Sequence, residues 1–97
     1  MYRHVALFRF KPDATAEQRA TVLDVLRTLP AQIPEIKDFR VGPNAGDDEG
    51  NAEFAVVADF ENAGDYAIYQ RHPAHQAVLS EHIRPILASR TAAQYEC

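Results

Sequence analysis

The chain is 97 residues long, 46% hydrophobic and 25% charged, the composition of one soluble globular domain, which excludes disordered, collagen-like and membrane-spanning classes. Ten Lys and Arg against fourteen Asp and Glu leave a net charge of −4, and the basic residues are scattered without a stripe, so nucleic acid is not expected as a partner. Cys97 is the only cysteine, and the N-terminus lacks the unbroken apolar run of a secretory signal, so the expected location is the reducing cytoplasm. A domain of this size leaves much apolar surface uncovered, which favours pairing with a second copy of itself.

From Tyr2 to Lys11 the residues alternate, with Tyr2, His4, Ala6, Phe8 and Phe10 on one side and Arg3, Val5, Leu7 and Arg9 on the other. This predicts a strand, ended by Pro12. Thr15 and Gln18 form a capping-box signature, and Val22, Leu23, Val25, Leu26 and Leu29 recur behind it at helical spacing. Pro30 is expected to stop that helix, and Pro34 steers Ile33 into extended geometry. A second strand is predicted over Ile36–Val41, closed by Gly42-Pro43-Asn44. Asn44–Asn51 reads as an exposed loop whose run Asp47-Asp48-Glu49 lacks the alternate spacing of a calcium loop.

The third strand, Ala52–Phe60, alternates most cleanly. Asn62 caps a short helix carrying Tyr66 and Tyr69. A longer helix opens at Pro73 and turns Ala74, Val78, Leu79, Ile83, Ile86 and Leu87 toward the core down to about Arg90, with Pro85 kinking or fraying its last turns. Thr91–Glu96 remains as a fourth strand, anchored by Tyr95. The order βαββαβ predicts an α+β, ferredoxin-like domain spanning residues 1–97, a four-stranded antiparallel sheet with helices on one face. The His4, Ala6, Phe8, Val56 side is bulkier and should meet the helices. Val5, Leu7, Ala55 and Val57 then form an open patch, framed by Arg3, Arg9, Glu53 and Asp59, that suits a homodimer built sheet to sheet.

Functional side chains are densest at Tyr69-Gln70-Arg71-His72-Pro73-Ala74-His75. His72 precedes a proline and should lie outside the helix, whereas His75 falls near its third position. The partial positive charge of the helix start should keep that imidazole neutral, as a general base requires. Tyr69 closes the preceding helix and offers a phenol to the same space. A histidine near a helix start also serves as a plain cap, and His4 as a hydrogen-bonded core residue. His82 reads as a solvent-facing or boundary residue. No metal set, nucleophile elbow or phosphate loop is present, so neither metal nor cofactor is expected.

His4-Val5-Ala6-Leu7-Phe8-Arg9-Phe10-Lys11, Ile33-Pro34, Asp59-Phe60-Glu61 and, above all, Tyr69 followed by His72-Pro73-Ala74-His75 resemble the stress-responsive α/β-barrel (Dabb) family over nearly the whole chain. The resemblance implies a ferredoxin-like subunit dimerised through its sheet into a barrel-like body. In one member, olivetolic acid cyclase, a cofactor-free aldol ring closure uses the corresponding second histidine as base and the tyrosine as orienting group. Carried over, His75 is the base, Tyr69 the orienting hydroxyl, and His4 part of the pocket wall. Phe54 and Leu26 replace a histidine and a tyrosine of the cyclase, so a lining of Phe8, Val22, Leu26, Phe54, Val56, His72 and Leu79 would be drier and differently shaped. Three functions compete: a cofactor-free catalyst or binder for a small apolar carbonyl-bearing or phenolic molecule, a non-catalytic stress-response or assembly module, and a cofactor-free monooxygenase. The first requires a cavity beside His75; the second requires that space to be filled.

Overall fold

The computed structural model describes residues 1–97. Its elements in chain order are β1 (Tyr2–Phe10), α1 (Ala16–Arg27), α2 (Leu29–Gln32), β2 (Asp38–Pro43), β3 (Phe54–Phe60), α3 (Ala63–Arg71), α4 (Pro73–Val78), a π-helical turn over Leu79–Ile83, and β4 (Leu87–Glu96). The four strands form one antiparallel sheet in the order β2-β3-β1-β4, the ferredoxin-like arrangement.

Local chemistry accounts for most boundaries. At the start of α1 the Thr15 hydroxyl accepts the Gln18 N–H at 3.0 Å while the Gln18 side chain accepts the Thr15 N–H at 2.8 Å. That reciprocal cap stabilises the helix by about 1 kcal/mol. Pro30 does not end helical structure as predicted. The chain breaks at Thr28 and restarts, placing Pro30 in the first turn of α2, where its missing N–H costs nothing. β2 runs from Asp38 to Pro43, later than the predicted span, because Asp38 to Pro43 pair in register with Asp59 to Phe54.

The second long helix is the larger correction. It does not reach Arg90: α4 ends at Val78, and the wider turn that follows is closed by the Arg84 N–H donating to the Leu79 carbonyl at 2.8 Å. Pro85 has no N–H to continue the ladder, so the chain turns and β4 begins at Leu87. The pairing shifts between Arg9 and Phe10, which face Ser89 and Leu87, leaving Ala88 as the extra residue of a bulge. Since strand side chains alternate, this one-residue slip returns Leu87 to the helix-covered face.

The sheet is sided as the alternation predicts. His4, Ala6, Phe8, Phe54, Val56 and Ala58 are buried under the helices with Val22, Leu26, Leu29, Ile33, Tyr66 and Tyr69. On the other face Val5, Ala55 and Val57 are half-buried and Leu7 is 39% exposed, even though they sit at the sheet centre. Arg3 and Asp59 are neighbours on that face and pair through two bonds of 2.7 and 2.8 Å, which hold the Asp59 carboxyl below its ordinary range. Glu53 does not frame the patch as expected: it accepts the Phe10 N–H at 2.7 Å and Arg19 Nε at 3.0 Å, at the sheet's end. No helix is long and apolar enough to cross a membrane.

Candidate functional site

The junction between α3 and α4 positions the site. Asn62 caps α3 through the Asp65 N–H at 2.9 Å, and the helix carries Tyr66 and Tyr69 inward on one face. His72 is extended (φ −60°, ψ 134°), as a residue before proline tends to be, and its Nδ1 accepts the Ala74 N–H at 3.1 Å. This imidazole is therefore the cap of α4, not part of a pocket lining.

A cavity of about 270 Å³ opens between the helices and strands β1 and β4. It brings together His4, Tyr69 and His75, with Phe8, Leu26, Val56 and Leu79 from the predicted wall. Val22 and Phe54 do not reach it: at 0% and 6% exposure they are spent in the core, Phe54 edge-on to Phe10. Sequence reasoning missed Tyr66, Gln70, Gln76, Ile83, Leu87, Arg84 and Arg90, all of which border the space. Arg90 was legible in principle, since it alternates with Ala92 and Gln94 and stands opposite Phe8 across the ladder; assigning it to a helix end hid that.

The two cavity histidines are held in complementary states. His75 Nδ1 lies 3.1 Å from the Gln70 carbonyl, which can only accept, so Nδ1 carries the proton and Nε2 is left a free acceptor. Burial chiefly lowers the His75 pKa; the Gln70 carbonyl opposes this, and Arg90, Arg84 and His72 add to it. Thus His75 is neutral as anticipated, but desolvation rather than the helix start leads. At His4 the arrangement is reversed. Gln94 Nε2 donates to His4 Nδ1 at 2.8 Å, leaving the ring proton on Nε2, and burial, then Arg90 and His75, push the pKa down to about 4.

Tyr69 completes the set. Its ring is 3% exposed and lies 4.2 Å from the His75 ring and 6.3 Å from that of His4. Its hydroxyl has no protein partner, yet no fully enclosed side-chain polar atom in the chain lacks one, so this oxygen meets accessible space. Burial raises its pKa, keeping the phenol protonated. The arrangement offers one neutral base and two neutral donors around a space that is part apolar wall and part bordered by Arg84 and Arg90. No three His, Cys, Asp or Glu side chains are grouped to hold a metal ion.

The sequence model of the stress responsive A/B barrel domain family, Dabb, matches residues 2–97. The chain belongs to the Dabb family. Among solved structures, this Dabb chain is similar to a dimeric ferredoxin-like protein of unknown function from Thermobifida fusca, at 43% identity and a TM-score of 0.91, covering 99% of this chain and 90% of that one. A dimeric ferredoxin-like protein of unknown function from Bacteroides fragilis follows at 27% identity and 0.85, covering 99% and 95%. The hydroxynitrile lyase of Passiflora edulis shares the fold at 19% identity and 0.84, covering 97% and 90%. No match was found among curated proteins.

Proposed function

We propose that this Dabb protein is a homodimer that binds a small apolar molecule, carbonyl-bearing or phenolic, in the cavity beside His75 and catalyses proton transfer on it without a cofactor. His75 Nε2 is the general base, and the Tyr69 hydroxyl orients and holds the substrate oxygen. The observation that carries the reading is the His75 imidazole: neutral, oriented by the Gln70 carbonyl, and left with its free nitrogen beside an unpartnered phenol. Removal of a proton next to a carbonyl, the first half of an aldol step, needs a base on one side and a donor for the forming enolate oxygen on the other. The occurrence of a hydroxynitrile lyase on this fold supports enzymatic use of the scaffold. The open cavity supports this reading over a purely structural module, which needs no such space. The dimer is supported by the uncovered Val5, Leu7, Ala55, Val57 face and by the dimeric Thermobifida fusca relative.

The test is exchange of the methyl protons of acetophenone in deuterium oxide, followed by proton NMR. Wild-type protein should accelerate the exchange, and His75→Ala should lose roughly 10²–10⁴-fold of the acceleration while keeping its circular dichroism spectrum. An unaccelerated exchange, or an undiminished rate in the variant, would refute the base.

A further inference from the structure

The cavity carries a charge that neither its histidines nor its tyrosines explain. Arg84, after the π-helical turn, and Arg90, on β4, both border it, and no Asp or Glu does. The arginines in the chain's ion pairs are Arg3, Arg19 and Arg40, so neither cavity guanidinium is neutralised by a carboxylate. Elsewhere the protein is acidic, with a net charge of −4, which makes two unpaired cations at one hollow a local reversal of sign. Because His4 and His75 are neutral, the formal charge of the lining is that of the two arginines. Arg90 stands centrally: its charge acts on His4, Tyr66, Tyr69 and His75 alike.

We propose that the ligand of this cavity is an anion, an apolar or aromatic molecule bearing a carboxylate, whose charged end is bound by Arg90 with Arg84 while its apolar body packs on Leu26, Val56, Leu79 and Ile83. The proposal rests on the reading of this cavity as the working site and adds the class of molecule it takes. A planar guanidinium matches a carboxylate through two parallel N–H bonds, which a neutral amide of the same shape cannot match in strength. The same charge would favour an enolate over its parent ketone when the base beside it removes a proton, so binding and chemistry draw on one field.

The probes are 2-naphthoate and 2-naphthamide, alike in shape and different in charge, titrated calorimetrically into wild-type protein and into the double variant Arg84→Gln/Arg90→Gln, with circular dichroism to confirm that the variant folds. Naphthoate should bind wild type roughly tenfold or more tightly than the amide, and the double variant should lose that preference while binding the amide as before. Equal affinity of the two probes for wild type, or a preference that survives in the variant, overturns the anion while leaving the cavity as a binding site. Failure of both probes to bind overturns the cavity reading and the anion with it.

Discussion

The buried imidazole of His4 makes the acid stability of this protein calculable. At 3% exposure, with Nδ1 engaged by Gln94, the ring has a pKa pushed from 6.5 down to about 4, first by burial and then by Arg90 and His75. Between those values the unfolded chain binds a proton that the folded chain does not. Stability is therefore independent of His4 above pH 6.5, falls as the solution is acidified through the window, and levels off for this group below about pH 4. At about 1.36 kcal/mol per pKa unit the full loss is roughly 3 kcal/mol, a large share of the stability of a small domain. His4→Gln keeps a polar partner for Gln94 and removes the titration. Urea unfolding at one protein concentration, at pH 7, 5.5 and 4, should show the variant losing less stability than wild type by roughly that amount. Asp59, held below 3.8 by Arg3, acts only in more acid solution, and His75 is common to both proteins. A wild-type minus variant difference that stays flat from pH 7 to 4 would refute the reasoning.

Tyr69→Phe removes a hydroxyl that no protein group bonds, so thermal denaturation should move by less than about 0.5 kcal/mol while the acetophenone exchange rate falls roughly tenfold. A variant that is markedly destabilised with its rate intact would assign the hydroxyl to structure. Leu7→Asp places a carboxylate at the centre of the uncovered sheet face, where burial against a partner would cost about 2 kcal/mol or more. Sedimentation velocity should show the dimer weakened at least tenfold. An unchanged dimer would move the interface off this face.

The sheet was legible because its signal is local and repeated. The alternation in Tyr2–Phe10 and Phe54–Phe60 survives in the burial of every second residue of β1, and the pairing of those strands places His4 opposite Ala58 and Phe8 opposite Phe54. The caps at Thr15 and Asn62 were equally plain, since each needs one side chain and one N–H within three residues. The stretch after Pro73 was misread for a physical reason. Val78, Leu79, Ile83, Ile86 and Leu87 fit a helical stripe, but the same residues face inward from a short helix, a wider turn and a strand whose bulge resets its register. Periodicity reports which side is buried; it does not report which backbone presents it. That misreading carried Arg90 away from the cavity and hid its charge. Val22 and Phe54 were assigned to a wall because they lie on the inward faces of their elements, yet an inward residue lines a hollow only where its neighbours leave one.

The state of His75 follows from the break between α3 and α4: in one continuous helix the Gln70 carbonyl would accept the N–H of Ala74, four residues on. Pro73 ends that possibility, since it lacks an N–H and forces His72 into extended geometry, and the Ala74 N–H turns to the His72 ring instead. The Gln70 carbonyl, left at the C-terminal end of α3 without a helical donor, takes the His75 Nδ1–H at 3.1 Å and the Gln76 side-chain N–H at 2.6 Å. Each residue of the His72-Pro73-Ala74-His75 segment thus has a distinct part. Proline breaks the helix, the first histidine and the alanine N–H reseal the new start, and the carbonyl so released fixes which nitrogen of the second histidine is bare. A helix-continuing residue at position 73 would return the carbonyl to Ala74 and leave the His75 tautomer undetermined, even with every cavity side chain still present.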